Sequence, residues 1–105
     1  TATPSSVSIY FATGQSVLDT DAQRALRVAS AAYVGIGTQI VITGYADKTG
    51  NLAANVELAK KRALAARDEL VKLGVEARRI QLAPPANVTG SDSDDQARRV
   101  DLIVR

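Results

Sequence analysis

Along the chain the spacing of apolar residues switches between two and about 3.6, and each switch marks an element. In SVSIYF (6–11), Val7, Ile9 and Phe11 alternate with Ser6, Ser8 and Tyr10, the period of a half-buried strand. In LDTDAQRALRVASAAYVG the period lengthens: Ala22, Ala25, Leu26, Ala29 and Tyr33 fall on one helical face, Asp19 or Asp21 can cap its start, and Gly35 and Gly37 stop it. QIVITGYA (39–46) is a β-branched run of the kind found in central strands. A second, longer helix is predicted from about Asn51 to Leu73, where Leu52, Val56, Ala59, Ala63, Ala66, Leu70 and Leu73 form a continuous apolar seam. Gly74 followed by Val75 supplies a left-handed cap. RIQLA (79–83) is a short strand, and RRVDLIVR (98–105) another, with Val100, Leu102 and Val104 on one face. PPANVTGSDSDDQ between them reads as a polar, turn-rich loop whose two prolines cannot donate ladder hydrogen bonds.

This order, βαβαββ, predicts an α/β (α+β) two-layer sandwich in which a mixed four-stranded sheet carries two main helices on one face. Alanine dominates the buried sides of both helices, so their axes can lie close to the sheet. One domain over residues 1–105 suits the length. TATPS (residues 1–5) reads as the end of a linker, which leaves room for an export signal or membrane anchor upstream. No apolar run approaches the roughly 20 residues of a membrane helix, so membrane association is expected only through that missing segment.

Composition removes several classes of chemistry. There is no histidine and no cysteine, which excludes Ser-His-Asp and Cys-His catalysis, the common zinc arrangements and disulfides. Thirteen basic against eleven acidic residues leave a net charge of +2, without the basic stripe that nucleic acid binding needs, and four aromatics do not make a stacking platform. No cofactor motif is present. SDSDD (91–95) lacks the spaced ligands and closing glutamate of a calcium loop, Arg78 and Arg79 read as a solvated basic pair in a turn, and Asp19 and Asp21 are explained by helix capping.

Candidate chemistry centres on Arg62. Lys60 and Lys61 have Glu57 within helical reach, whereas the helical neighbours of Arg62 are Leu58, Ala59, Ala65 and Ala66, and a guanidinium among apolar groups is costly unless an anion meets it. Asn55, seven positions earlier, shares its face with Leu58 between them. GYADKTG sets Asp47 just past a strand end and before a helix, where ligands often bind in α/β folds. Two readings follow. Either Arg62 pairs with Asp47 or Asp101 to brace the fold, with Thr49 a simple cap, or Asp47 and Arg62 stand apart and hold a zwitterion, the carboxylate taking its ammonium and the guanidinium fork its carboxylate.

GYADKTGNLAANVELAKKRALAARDELVKLGVEARRI resembles the core of the OmpA-like peptidoglycan-binding domain, with its pattern G-[HY]-T-D-x-x-G, N, L-S-x-x-R-A and L-x-x-x-G-[VI]. ARRVDLIV is similar to that family's closing N-R-R-V-E-[IV] strand and VSIYFATGQSVL to its opening one. The resemblance implies non-catalytic binding of peptidoglycan through the zwitterionic end of meso-diaminopimelate in its peptide stem, with Asp47 and Arg62 holding the ligand and Thr49, Asn55, Leu58 and Arg98 lining the pocket. It implies a periplasmic domain tethered to the outer membrane, anchoring an envelope protein to the cell wall. Ala12, Ala46, Ala59 and Ala97 stand where the family pattern carries polar residues. The alternative is a structural or protein-interaction domain of the same fold with lost or altered peptidoglycan binding. A glycan hydrolase would need two acids flanking a groove at roughly 5 to 9.5 Å, which nothing in the sequence suggests.

Overall fold

The computed structural model describes residues 6–12, 15–33, 39–46, 52–84, 86–87 and 98–104. The elements follow the expected order: β1 (Ser6–Tyr10), α1 (Thr20–Tyr33), β2 (Ile40–Ala46), α2 (Leu52–Lys72), a 3₁₀ turn (Ala77–Arg79), β3 (Ile80–Leu82), β4 (Ala86–Asn87) and β5 (Arg99–Val104). The sheet runs β1-β5-β2-β3. β5 lies antiparallel between β1 and β2, and β3 is parallel to β2, so the sheet is mixed. The register sets Ile9 against Val100 and Ile42 against Leu102, which brings the alternating apolar residues of three strands onto one face. That face, with Ala22, Leu26, Ala29 and Tyr33 of α1 and Ala63, Ala66 and Leu70 of α2, forms the core.

Asp19 is the residue that caps α1, its Oδ1 accepting from the Ala22 amide at 2.7 Å. At the far end of α2, Val75 N–H donates to Leu70 C=O (3.0 Å) and Gly74 N–H to Val71 C=O (3.1 Å), the paired bonds of a Schellman motif, and Gly74 takes φ 109°. Gly35 and Gly37, expected to end α1, lie outside the described residues.

The small residues of α2 have a specific use. A Cβ on Gly44 in β2 would collide with the Ala59 carbonyl oxygen and sit 3.3 Å from the Ala59 methyl group. Helix and strand therefore touch backbone to backbone at this crossing, and only glycine against alanine permits it.

Two expectations are corrected. Residues 84–96 are not all loop: Ala86 and Asn87 pair in parallel with Tyr45 and Ala46 of β2. β3 and β4 thus run along the same edge of β2, the Ala83 amide making the last bond to Ile42 C=O before Pro84 interrupts the ladder. Arg79 is not a solvated surface cation. It is 8% exposed, and its guanidinium donates to Tyr33 C=O at 2.7 Å, closing the C-terminal end of α1. Arg78, its neighbour, is exposed and meets Glu76 at 3.0 Å.

Candidate functional site

α2 enters beside the C-terminal end of β2, and the helical register puts Asn55, Leu58 and Arg62 on one of its faces. Asn55 and Leu58 are half-buried; Arg62 is 3% exposed. Asp47 and Thr49, which follow β2 in the chain, lie outside the described residues, as do SDSDD and the segment 1–5.

Arg62 is held by main chain. Its Nε donates to Gln15 C=O at 2.8 Å and a terminal nitrogen to Ala12 C=O at 3.2 Å, both in the connection from β1 to α1, while the Phe11 ring lies 5.4 Å from the guanidinium carbon. Arg98, just before β5, reaches the same segment. Its Nε donates to Phe11 C=O at 3.1 Å, and the Phe11 amide in turn donates to Arg98 C=O at 2.8 Å. Phe11, Ala12 and Gln15 therefore collect two guanidinium groups through carbonyl oxygens. Such contacts need no polar side chain, and so Ala12 supplies one.

Burial lowers the Arg62 pKa from its ordinary value, and the nearby positive charge of Arg98 lowers it further. Two cations side by side, one of them desolvated, make a local positive potential that favours an anion. Of the sequence-predicted site residues, Asn55, Leu58 and Arg62 come together on α2, and Arg98 joins Arg62 from the residue before β5. Asp101, considered as a partner of Arg62, accepts instead from Ser8 Oγ (2.8 Å) and Arg99 Nε (3.1 Å), and the Arg99 guanidinium stacks on Tyr45 at 3.9 Å. Phe11 and the carbonyl groups of Ala12 and Gln15 escaped sequence reasoning; only the loss of polar side chains from FATG hinted that backbone would serve there.

Among the described residues two grooves lie elsewhere. One of about 160 Å³ is mostly apolar, between α2 and the β3 edge, and includes Gly44, Ala59, Ala63, Leu64 and Leu82. The other, about 310 Å³, runs between β1 and the start of α1. Neither is lined by Asn55, Leu58, Arg62 or Arg98. Among the described residues no cluster of three or more acidic side chains could hold a metal ion, and no helix is long and apolar enough to cross a membrane.

Comparison with known proteins fits this architecture. The peptidoglycan-associated lipoprotein of Pseudomonas aeruginosa is 33% identical over 101 residues, covering 90% of this chain; the chain spans 60% of that relative's length. The crystal structure of the peptidoglycan-associated lipoprotein from Burkholderia pseudomallei superposes with a TM-score of 0.77 at 26% identity, over 93% of this chain and 89% of that one. The cell wall anchor of the Pseudomonas aeruginosa T6SS shares the fold at 21% identity, with a TM-score of 0.73 over 94% and 79% of the two chains. The OmpA family model matches residues 10–100, a span that holds both helices and β2 to β4, and the chain belongs to the OmpA family.

Proposed function

We propose that the chain is a single non-catalytic domain that binds peptidoglycan and anchors an envelope protein to the cell wall, recognising the zwitterionic end of diaminopimelate in the peptide stem. The observation that carries this reading is the convergence of Arg62 and Arg98 on the carbonyl groups of Phe11, Ala12 and Gln15, on the side of α2 that also presents Asn55 and Leu58, in a chain whose relatives are named for peptidoglycan association. In this reading the Arg62 fork meets the ligand carboxylate and Asp47 its ammonium, with Thr49, Asn55, Leu58 and Arg98 lining the pocket. Burial of Arg62 strengthens such a contact, because a charge-assisted hydrogen bond gains as water is excluded. A periplasmic domain tethered to the outer membrane through a preceding segment follows from the same reading. Weak binding to a single stem suffices there, since the wall repeats the ligand and tethering raises its effective concentration.

One observation favours a second reading. The bonds from Arg62 to Ala12 and Gln15 brace the β1–α1 connection, as they would in a protein-interaction domain that had given up wall binding. Sedimentation with purified sacculi separates the two. The parent chain is expected in the pellet and Asp47→Ala in the supernatant; a parent chain left in the supernatant would refute the wall-binding assignment, and equal pelleting of the two would remove Asp47 from the site.

A further inference from the structure

We infer that the free edge of β1 is a strand-addition site for an extended, cationic polypeptide segment, independent of the Arg62 site. β1 ends the sheet, and β5 is its only strand neighbour among the described residues. In an antiparallel ladder the N–H and C=O of one residue point to the same side, and the side alternates along the strand. The Phe11 amide donates to Arg98 C=O at 2.8 Å, which turns Phe11, and with it Ile9 and Val7, toward β5. Ser8 and Tyr10 therefore aim their backbone donors and acceptors outward.

They aim into a groove. Ser8 and Tyr10 line the 310 Å³ cleft whose other wall is the first turns of α1, with Asp19, Asp21, Ala22 and Ala25. The alanines leave room beneath an added strand, and the charged side chains lining the cleft are both acidic. Asp19 spends one oxygen on the Ala22 amide; Asp21 is almost fully exposed, 3.8 Å from Arg24. An incoming strand with lysine or arginine at alternate positions would pair with Ser8 and Tyr10 through its main chain and set its cations toward the two carboxylates. The same charges argue against a second copy as occupant, because antiparallel β1–β1 pairing would line up four aspartates along one seam.

The probe is a short blocked peptide alternating lysine with threonine, titrated into the isotope-labelled chain and followed by amide shifts and hydrogen exchange, with its glutamate counterpart as control. Ser8 and Tyr10 amides should shift and become protected, and the lysine peptide should bind about tenfold or more tighter than the glutamate one. Asp21→Lys should abolish that preference. Ser8→Pro should abolish binding of both peptides, since proline removes the outward amide without costing a backbone bond to β5, and Ser8→Ala, which loses only the hydroxyl bond to Asp101, should keep it. Absence of binding at about 1 mM, equal affinity for the two peptides, shifts centred away from β1, or concentration-dependent pairing of the chain without peptide would each overturn the inference. Should Ser8→Pro fail to fold, Asp21→Lys decides alone, and an unchanged lysine preference there defeats the proposal.

Discussion

Replacing Arg62 with lysine isolates what the planar fork does. At 3% exposure the guanidinium reaches Gln15 C=O through Nε and Ala12 C=O through a terminal nitrogen, two acceptors met from one rigid plane. An ammonium is a point donor at the end of a flexible stem, and can keep one of these carbonyl groups but not both geometries. Losing one hydrogen bond from a charged donor costs about 1.5 to 3 kcal/mol, and the more strongly hydrated ammonium resists burial further. For a domain of this size each kcal/mol moves the melting temperature by roughly 4 to 8 °C, so Arg62→Lys should melt roughly 6 to 24 °C lower. Calorimetry at neutral pH reads this directly, and amide shifts at Ala12 and Gln15 locate it. A melting temperature within about 2 °C of the parent, with those amides unmoved, would refute the brace. The variant should also bind diaminopimelate-containing peptide more weakly. Retained affinity beside lowered stability would assign Arg62 to the fold and not to the ligand.

Two further perturbations probe the frame around the site. Gly44→Ala forces a methyl group into the Ala59 carbonyl oxygen, so helix and strand must separate; by the usual cost of overpacking it should lose about 1 to 3 kcal/mol in chemical denaturation, with little cost if the crossing is looser than described. Tyr33 is fully buried and its hydroxyl has no hydrogen-bond partner among the described residues, so Tyr33→Phe should raise stability by about 1 kcal/mol, checked by urea unfolding. Burial also raises the Tyr33 pKa above its ordinary value near 10. The unfolded chain then releases this proton first, and the stability the neutral phenol contributes is complete below that value and declines as pH rises through the folded pKa. Parent stability should fall across this alkaline range with a slope that Tyr33→Phe reduces; parallel curves for the two proteins would contradict the assignment.

How much was legible in the sequence depended on whether a feature left a period. Both helices, the three longer strands and their order follow from apolar spacing, and the α2 terminus from Gly74. β4 left none, because two residues after two prolines are too short to alternate and pair only through main chain. Arg79 was misread for a related reason. Nothing in a basic pair says which cation turns inward, and its acceptor is the carbonyl group of Tyr33, 46 positions away. Two contacts of Arg62 were likewise invisible, since these acceptors are backbone atoms 47 and 50 positions distant in residues with no side-chain signature of their own. Arg62 itself stood out, because its apolar helical surroundings required a partner from elsewhere.

The position of Arg62 and the packing of α2 are one decision. Ala59 lies one turn before Arg62 on the helix and has no exposed surface, and its carbonyl oxygen occupies the space a side chain on Gly44 would need. That contact draws α2 onto β2 just before the strand leads into Asp47. A helix set this low carries Arg62 below the surface, where a lone guanidinium would be costly, and the β1–α1 connection answers with the carbonyl oxygens of Ala12 and Gln15. Serine in place of Ala59 would add a hydroxyl at a fully buried point that must find its own acceptor, so alanine suits the tight crossing even though the family pattern carries serine there. Loss of polar side chains at positions 12 and 59 is therefore not in itself loss of a site. At the first the main chain takes over the contact, and at the second the methyl group serves the approach of helix to sheet that buries the arginine.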